Sequence, residues 1–352
     1  MTAVEKCVLR SPEQYEVIIT TTEMHTGGEP LRILESGYPV PRGETILDKI
    51  EDLRKNFDQY RRFVILEPHG HLDMYAALLV PPDHPDAHIA VIFLHNEGYS
   101  TMCGHACIAL GRYAVDRGLV STTHASDIQV NIQVPCGLVK AFVEVCRAEV
   151  PRTARVRFES VPSFVVATDA TVEVKGQGQV KVDVAYGGAF YVFVAASDVG
   201  VDLNLSPLAD IRQAATKVKE AAAKTFTLHH PTTPAFLYGT MVVDSRGPAN
   251  QDGVSQHVCI FADAETDRSA CGSGTTARVA LMYHKGHLRL GQSHAFRSGV
   301  TGAEFTARAL RTEQVGEYGA VVVQVQGQGY YTGRTTLALE RGDGLGAGFV
   351  VR

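Results

Sequence analysis

The amino-acid sequence predicts an α+β fold with a mostly antiparallel or mixed sheet. Strand-like segments rich in Val, Ile, Phe and Tyr occur along the whole chain and are bounded by Gly, Pro and Asp. Long helical segments are few, and they do not follow each strand in turn. A regular alternation of strand and helix would indicate a doubly wound parallel sheet, so its absence favours the α+β class.

Seven strand-like segments and two long amphipathic helices can be followed along the chain. Residues 44–63 and 207–226 have apolar residues at three- to four-residue spacing and no interior Pro or Gly, so we expect equivalent outer helices there. The strand-like segments are "YEVIITT", "HIAVIFLH", "GLVKAFVEV", "VRFESVPSFVVA", "VKVDVAYGGAFYVFVAA", "AFLYGTMVV" and "GAVVVQVQGQGYYTG".

Length and composition predict a soluble protein of two domains. The 352 residues exceed the usual size of one hydrophobic core, and 45% of them are hydrophobic against 20% charged, with a net charge of -5. Lys and Arg are scattered, which argues against a nucleic-acid partner, and no apolar run reaches the roughly 18 residues of a membrane span. The start "MTAVEKCVLRSPEQYE" does not resemble a secretory signal, and an odd number of cysteines favours a reducing, cytoplasmic setting.

An internal repeat pairs two cysteines. With Cys103 placed over Cys271, "CGHACIALGRYAVDRGLV" lies over "CGSGTTARVALMYHKGHL" without a gap, and Cys-Gly opens both segments. In each, small residues give way to a helical apolar stripe that ends in a basic residue followed by Gly. The repeat predicts two similar halves, each with a cysteine at the start of a buried helix.

A cysteine at a helix N-terminus is suited to acid–base chemistry. The helix dipole and free backbone N–H groups can draw a thiol pKa from about 8.5 towards about 7. Gly104 and Gly272 follow the two cysteines, and the lack of a Cβ would let a ligand carboxylate lie on the backbone N–H groups. Two thiols on opposite faces of one carbon atom could remove a proton and return it, which inverts a carbon next to a carboxylate without a cofactor.

Other interpretations of these residues are less favourable. Cys103, His105 and Cys107 are closely spaced soft ligands, but a helix would spread them around its axis, so no metal is predicted. "GDGLGAG" lies near the C-terminus with no helix after it and is predicted to be a turn, and "CGSGTT" lacks the Lys of a phosphate-binding loop. Five further cysteines are predicted to be buried packing residues: Cys7, Cys107, Cys136, Cys146 and Cys259.

Four motifs in order along the chain resemble the signature blocks of the proline racemase family. They are "TEMHTGGEP", "HNEGYSTMCGH", "YGGAFY" and "DRSACGSGT". The resemblance implies the fold shared with diaminopimelate epimerase, which has two pseudo-symmetric domains. We expect residues 1–180 plus 335–352 to form the first domain and 181–334 the second. It also implies a cofactor-independent enzyme that binds a small imino acid, and family members are often homodimers.

The resemblance also implies roles for individual residues. Cys103 and Cys271 would be the two acid/base groups, and Asp267 would meet the substrate ring nitrogen. The substrate carboxylate would bind the backbone N–H groups of two pairs, and two aromatic residues would wall the ring. These residues are Gly104 with His105, Gly272 with Ser273, and Tyr75 with Phe261.

The family contains proline racemases, hydroxyproline 2-epimerases and trans-3-hydroxy-L-proline dehydratases, and the sequence is divided between them. Its long motifs resemble the dehydratase branch, in which the second catalytic position is usually threonine. Cys271 at that position is the racemase and epimerase pattern, because a thiol can cycle protons whereas a Thr hydroxyl is too weak an acid. Cys259 replaces the His that is common in 4-hydroxyproline epimerases.

Three hypotheses therefore remain. The first is a two-base racemase or 2-epimerase of proline or a hydroxyproline. The alternative is a trans-3-hydroxy-L-proline dehydratase with Cys103 as the base. The third is a protein that binds an imino acid without catalysis.

Overall fold

The computed structural model describes residues 15–121, 126–146, 152–246 and 253–351. These residues form eighteen strands and five α-helices. The strands are β1 Tyr15–Thr26, β2 Glu29–Ser36, β3 Ala76–Val80, β4 Ile89–Leu94, β5 Tyr99–Ser100, β6 Asp127–Val134, β7 Gly137–Cys146, β8 Arg152–Glu159, β9 Ser163–Val174, β10 Gly178–Tyr186, β11 Phe190–Ala195, β12 Leu237–Val243, β13 Val254–Phe261, β14 Glu265–Asp267, β15 His294–Ser298, β16 Glu304–Val315, β17 Tyr318–Gly327 and β18 Gly329–Glu340. The helices are α1 Ile46–Asn56, α2 Asp58–Ile65, α3 Gly104–Asp116, α4 Leu208–Thr225 and α5 Gly272–His284.

The same series of strand pairings occurs twice. In the first series β1 pairs antiparallel with β2, β2 lies parallel to β3, β3 is antiparallel to β4, and β4 pairs with the short β5 and with β6. In the second series β10, β11, β12, β13, β14 and β15 pair in the same order and directions. β6 continues through β7 to β8, and β9 pairs with β10. Because β17 pairs with both β8 and β9, it joins the two series. This confirms the predicted mixed, mainly antiparallel α+β fold.

Helices occupy equivalent places in the two series. α1 and α2 connect β2 to β3, and α4 connects β11 to β12, as expected for the two outer helices. α3 follows β5 and α5 follows β14, and both are 13 residues long. α3 contacts β1, β6, β7 and β8, whereas α5 contacts β9, β10, β16 and β17. Each cysteine-led helix is therefore buried mainly among its own strands, and β17 contacts both helices.

The first outer helix is not continuous, contrary to the prediction for residues 44–63. Phe57 leaves the helical conformation, with φ -138° and ψ 15°, and separates α1 from α2. A capping box between Thr45 and Asp48 starts α1. Asp58 at the start of α2 binds the guanidinium of Arg61, which also donates to the carbonyl oxygen of His95. The bond from Arg61 to the His95 carbonyl joins α2 to the end of β4, a contact that sequence spacing does not indicate.

Three of the long strand-like segments are each two strands. "VRFESVPSFVVA" contains the end of β8 and the start of β9, with Pro162 in the connection. "VKVDVAYGGAFYVFVAA" contains β10 and β11, with a turn at Gly187 and Gly188 between them. The left-handed φ of +94° at Gly188 suits a residue without a Cβ. "GAVVVQVQGQGYYTG" spans the connection between β17 and β18.

The predicted domain limits fall inside strands. Residue 180 lies in β10, which pairs with β9, and residue 335 lies in β18, which pairs with β1 along most of its length. The division into 1–180 plus 335–352 and 181–334 stays a prediction. Within the described ranges, every helix is too short or too polar to cross a membrane.

Candidate active site

The N-termini of α3 and α5 touch each other through their glycines. A Cβ built on Gly104 would lie 2.4 Å from the Cα of Gly272, and a Cβ on Gly272 would lie 2.4 Å from the Cα of Gly104. Cys103 and Cys271 directly precede these glycines and are the N-cap residues of the two helices. The glycines are therefore required for the close approach of two backbones, a reason that the sequence prediction missed.

His105 is the hydrogen-bond partner of the Cys103 thiol. The Cys103 Sγ lies 3.2 Å from the Nδ1 of His105, and the Nε2 of His105 lies 3.2 Å from the carbonyl oxygen of Pro30. Burial lowers the pKa of His105 to about 3, so the ring is neutral and carries one N–H. Because the Pro30 carbonyl can only accept, that N–H is on Nε2, and the Cys103 S–H donates to Nδ1.

The expectation of a lowered thiol pKa is wrong for Cys103. Cys103 is only 5% exposed, and burial raises the pKa of its thiol well above the usual range. The backbone N–H of Ala106 at the helix start opposes this shift, but it is the smaller effect. Removal of the thiol from water therefore outweighs the helix terminus, and Cys103 is a neutral thiol at pH 7.

Cys271 has a different environment from Cys103. Its φ of +49° lies in the left-handed region, which a non-glycine residue adopts only at a cost of about 1–3 kcal/mol. Its backbone N–H donates to the Oγ of Ser269 at 3.0 Å, and its thiol lies 3.8 Å from the hydroxyl of Tyr191. That hydroxyl is 2.7 Å from the Oγ of Ser273. A hydroxyl network therefore surrounds the second thiol.

Asp267 lies beside this thiol at the end of β14. It is 4% exposed and accepts the backbone N–H of Ser269 at 2.8 Å. Burial raises the pKa of Asp267 to about 6, although the bonds from Ser269 act in the opposite direction. In the antiparallel pairing of β13 with β14, Cys259 is directly opposite Asp267.

Glu29 adds a second buried carboxyl group that sequence reasoning did not select. Its Oε2 accepts the backbone N–H of Arg268 at 2.6 Å, while its Oε1 has no hydrogen-bond partner among the described residues. Burial and the nearby Asp267 raise the pKa of Glu29 well above its usual range. Glu265 is also fully buried with an unpartnered Oε1. The guanidinium of Arg268 lies 3.6 Å from the Oε2 of Glu29, so one positive charge of the chain already faces these carboxyl groups. The sequence signal that could have selected Glu29 was its position in the motif "TEMHTGGEP".

Tyr75 and Phe261 form an aromatic wall with residues that were not predicted. The Tyr75 ring lies 5.1 Å from that of His105 and 6.1 Å from that of Phe261. Tyr238 and His95 extend the wall, at 5.2 Å and 6.5 Å from Phe261. The Tyr75 hydroxyl and the Nε2 of His95 are buried without a hydrogen-bond partner in the described part of the chain. The wall is therefore apolar except at the Tyr75 hydroxyl and the His95 Nε2, which can bind a polar group of a ligand.

The predicted site residues are thus gathered around the two helix N-termini. The five other cysteines differ in burial. Cys107, Cys136 and Cys259 are buried as expected, and Cys7 lies outside the described residues. The prediction of a buried Cys146 is wrong, because it is exposed at the end of β7. Cys103, His105 and Cys107 do not form a three-ligand group, whereas Cys259, Asp267 and Cys271 do so within the described ranges.

Two thiols at touching helix starts, beside buried carboxyl groups, agree with the resemblance found in the sequence. The profile described as proline racemase matches residues 21–350. The chain belongs to the proline racemase family. A trans-L-3-hydroxyproline dehydratase of Xenopus tropicalis is 48% identical over 95% of this chain and 96% of its own. A trans-3-hydroxy-L-proline dehydratase of Homo sapiens is 48% identical over 95% of both chains.

A solved structure agrees with the fold. A hydroxyproline epimerase of Agrobacterium vitis, crystallised with trans-4-hydroxy-L-proline, is 27% identical and covers 96% of each chain at a TM-score of 0.88. The family, the fold class and the enzyme class of isomerase or hydro-lyase are confirmed by these matches. They support the dehydratase alternative better than the first hypothesis of a racemase or 2-epimerase.

Replacement of Gly104 by alanine should destabilise the protein. The new Cβ would press on the backbone of Gly272, which no side-chain rotation relieves. Overpacking of this kind costs about 1–3 kcal/mol, more than the roughly 1 kcal/mol that alanine contributes as a better helix former. Urea unfolding measures the difference. Gly333→Ala is the matched control, because its Cβ meets nothing within 4 Å. Equal stability of both variants would contradict the contact.

The alkylation rate of Cys103 should depend steeply on pH. Only the thiolate reacts with iodoacetamide, so a raised pKa predicts a rate that increases about tenfold per pH unit without a plateau below pH 9. Peptide mass spectrometry follows each cysteine separately, with the exposed Cys146 as the internal reference for reagent access. A plateau for Cys103 near pH 7 would mean that the helix terminus dominates after all.

Proposed function

We propose that this chain is a cofactor-independent enzyme that dehydrates trans-3-hydroxy-L-proline, with a second capacity for 2-epimerisation. The observation that carries the proposal is the Cys103 thiol, which donates to a neutral imidazole at a helix N-terminus. Relatives named as dehydratases, at 48% identity over nearly the whole chain, support the substrate.

The substrate would be held by its two charges. Its carboxylate would accept from the backbone N–H groups of Gly104 and His105, and of Gly272 and Ser273, at the two helix starts. Its ring ammonium would lie against Asp267 and the nearby Glu29. Burial raises the pKa of both carboxyl groups, and the positive charge of the ammonium would favour their ionised forms. Tyr75 and Phe261 would wall the ring. The α-carbon then lies between the two thiols.

Dehydration requires one base and one proton donor. The Nδ1 of His105 takes the Cys103 proton as the sulfur removes the α-proton, so that no free thiolate builds up beforehand. The C–H electron pair forms a double bond between C2 and C3 as the C3–O bond breaks, and the departing hydroxyl leaves as water once it is protonated. The enamine product tautomerises to the cyclic imine, pyrroline-2-carboxylate.

The stereochemistry of the substrate permits a single thiol to serve both steps. In the trans isomer the 3-hydroxyl is on the face opposite the carboxylate, and so it is on the same face as the α-hydrogen. The thiol that removes the α-proton therefore faces the leaving hydroxyl and can return the proton to it. A reaction confined to one face does not need the second cysteine.

Cys271 supports the second candidate function. A thiol can protonate the α-carbon from the opposite face, which inverts it, and the Tyr191 and Ser273 hydroxyls give Cys271 a polar neighbourhood. This is the two-base racemase or 2-epimerase of the first hypothesis. The third hypothesis, binding without catalysis, does not account for the two thiols. We propose a cytoplasmic homodimer, in line with the sequence-based expectation.

The product pattern distinguishes these functions. We expect the purified protein to form the cyclic imine from trans-3-hydroxy-L-proline and to exchange the α-hydrogen of trans-4-hydroxy-L-proline or L-proline with D₂O more slowly. Imine formation is measured by trapping the product, and exchange by nuclear magnetic resonance. Inversion of proline or 4-hydroxyproline without any imine would favour the first hypothesis over dehydration. No reaction with any of the three would overturn both enzymatic proposals.

Substitution of the two cysteines should separate the two reactions. Cys271→Thr should abolish inversion and retain dehydration, because Cys103 works alone on one face. Cys103→Ala should reduce both by about 10²–10⁴-fold, the usual contribution of a positioned acid or base. The exposed Cys146→Ala is the control and should change neither rate. Inversion by Cys271→Thr at the rate of the unmodified protein would show that Cys271 is not a base.

A further inference from the structure

A cluster of three side chains next to Cys271 has the composition of a metal site. Three ligand atoms lie within 4.8 Å of one another: the sulfur of Cys259, one carboxylate oxygen of Asp267 and the sulfur of Cys271. The three residues are 1%, 4% and 4% exposed. Among the described residues, these three form the group of His, Cys, Asp or Glu side chains whose ligand atoms are close enough to share one metal ion.

The backbone holds these three groups in place. Cys259 and Asp267 are directly opposite each other in the pairing of β13 with β14. Asp267 accepts the N–H of Ser269, and the Ser269 hydroxyl accepts the N–H of Cys271, so the intervening loop is tied at both ends. The left-handed φ of Cys271 is part of the same loop. The ligand atoms are therefore brought together by the fold, without any need for a metal to order them.

The geometry and the ligand types suit a thiophilic divalent cation. With metal–sulfur and metal–oxygen bonds of about 2.3 Å and 2.0 Å, the ligand atoms of a tetrahedral site lie about 3.5–3.8 Å apart. Small side-chain rotations would bring atoms that lie within 4.8 Å to this spacing. Two thiolates select Zn²⁺ or Cd²⁺ over Mg²⁺ or Ca²⁺, and three protein ligands leave a fourth position open.

We infer that Cys259, Asp267 and Cys271 form an inhibitory binding site for a thiophilic divalent metal ion such as Zn²⁺ or Cd²⁺. These metal ions bind the deprotonated form of a cysteine sulfur, so metal binding competes with protons and strengthens as the pH rises. The bound ion occupies the proposed second acid/base group and the proposed partner of the substrate ammonium. Metal binding is independent of the proposed function, whereas the inhibition rests on it.

A titration of the full-length, reduced protein with Cd²⁺ tests the site directly. The thiolate-to-cadmium charge-transfer absorption in the ultraviolet should grow to one equivalent of metal, and Zn²⁺ should displace it. In Cys259→Ser the affinity should fall about 100-fold or more, since even changes next to the direct ligands cost 10–100-fold. Cys136→Ser is the matched control, a buried thiol outside the cluster, and should bind as the unmodified protein does. Unchanged affinity of Cys259→Ser, or an equal loss in Cys136→Ser, would overturn the site.

A second variant and a second measurement keep the test decisive. If circular dichroism shows that Cys259→Ser is unfolded, Cys271→Ser must weaken the cadmium absorption to the same degree. Zn²⁺ should inhibit imine formation by the unmodified protein and not by Cys259→Ser at the same concentration. Inhibition of Cys259→Ser by equal Zn²⁺ would overturn the inference. Metal bound at the cluster without inhibition of imine formation would overturn the inhibitory part of the inference and contradict the proposed contact of Asp267 with the substrate ammonium, while the metal site itself would stand.

Discussion

The backbone contact between Gly104 and Gly272 determines where the other groups of the site lie. Each glycine begins a buried helix that packs mainly against the strands of its own half, so the contact joins the two halves at their helix starts. Because no side chain separates the two helix starts, their free N–H groups converge on one place. The thiols that precede the glycines are then brought to that place by the chain itself.

The scaffold repeats, but the chemistry of its two halves does not. Cys103 is in extended backbone and its thiol donates to the imidazole of His105. Cys271 is in the left-handed region and its thiol faces the Tyr191 hydroxyl. A proton acceptor on one side and a hydroxyl network on the other give the two thiols different surroundings. In the proposed function, one-sided elimination uses only the Cys103 thiol, and inversion adds the Cys271 thiol.

The repeat made the paired helix starts predictable, because Cys-Gly and an apolar stripe are local signals. The break at Phe57 was not, since the segment has no interior Pro or Gly to mark it and α2 bonds to the distant His95 carbonyl through Arg61. The direction of the Cys103 pKa also escaped prediction, because a helix terminus can be read from sequence whereas burial depends on the whole fold. Glu29 meets Asp267 from the far end of the chain, and spacing along the sequence carries no such information.

Burial is the common cause of the unusual electrostatics around the site. It raises the pKa of the Cys103 thiol and of the Asp267 and Glu29 carboxyls, and it lowers that of His105, so each group is biased towards its neutral form. An imino acid carries one charge of each sign. In the proposed function, its ammonium would favour ionised carboxyl groups and its carboxylate would be held by the helix starts. The substrate would therefore supply charges that favour the ionised forms of the groups around it. The Cys103 thiolate would then form mainly when substrate is bound, which would limit its reaction with other electrophiles.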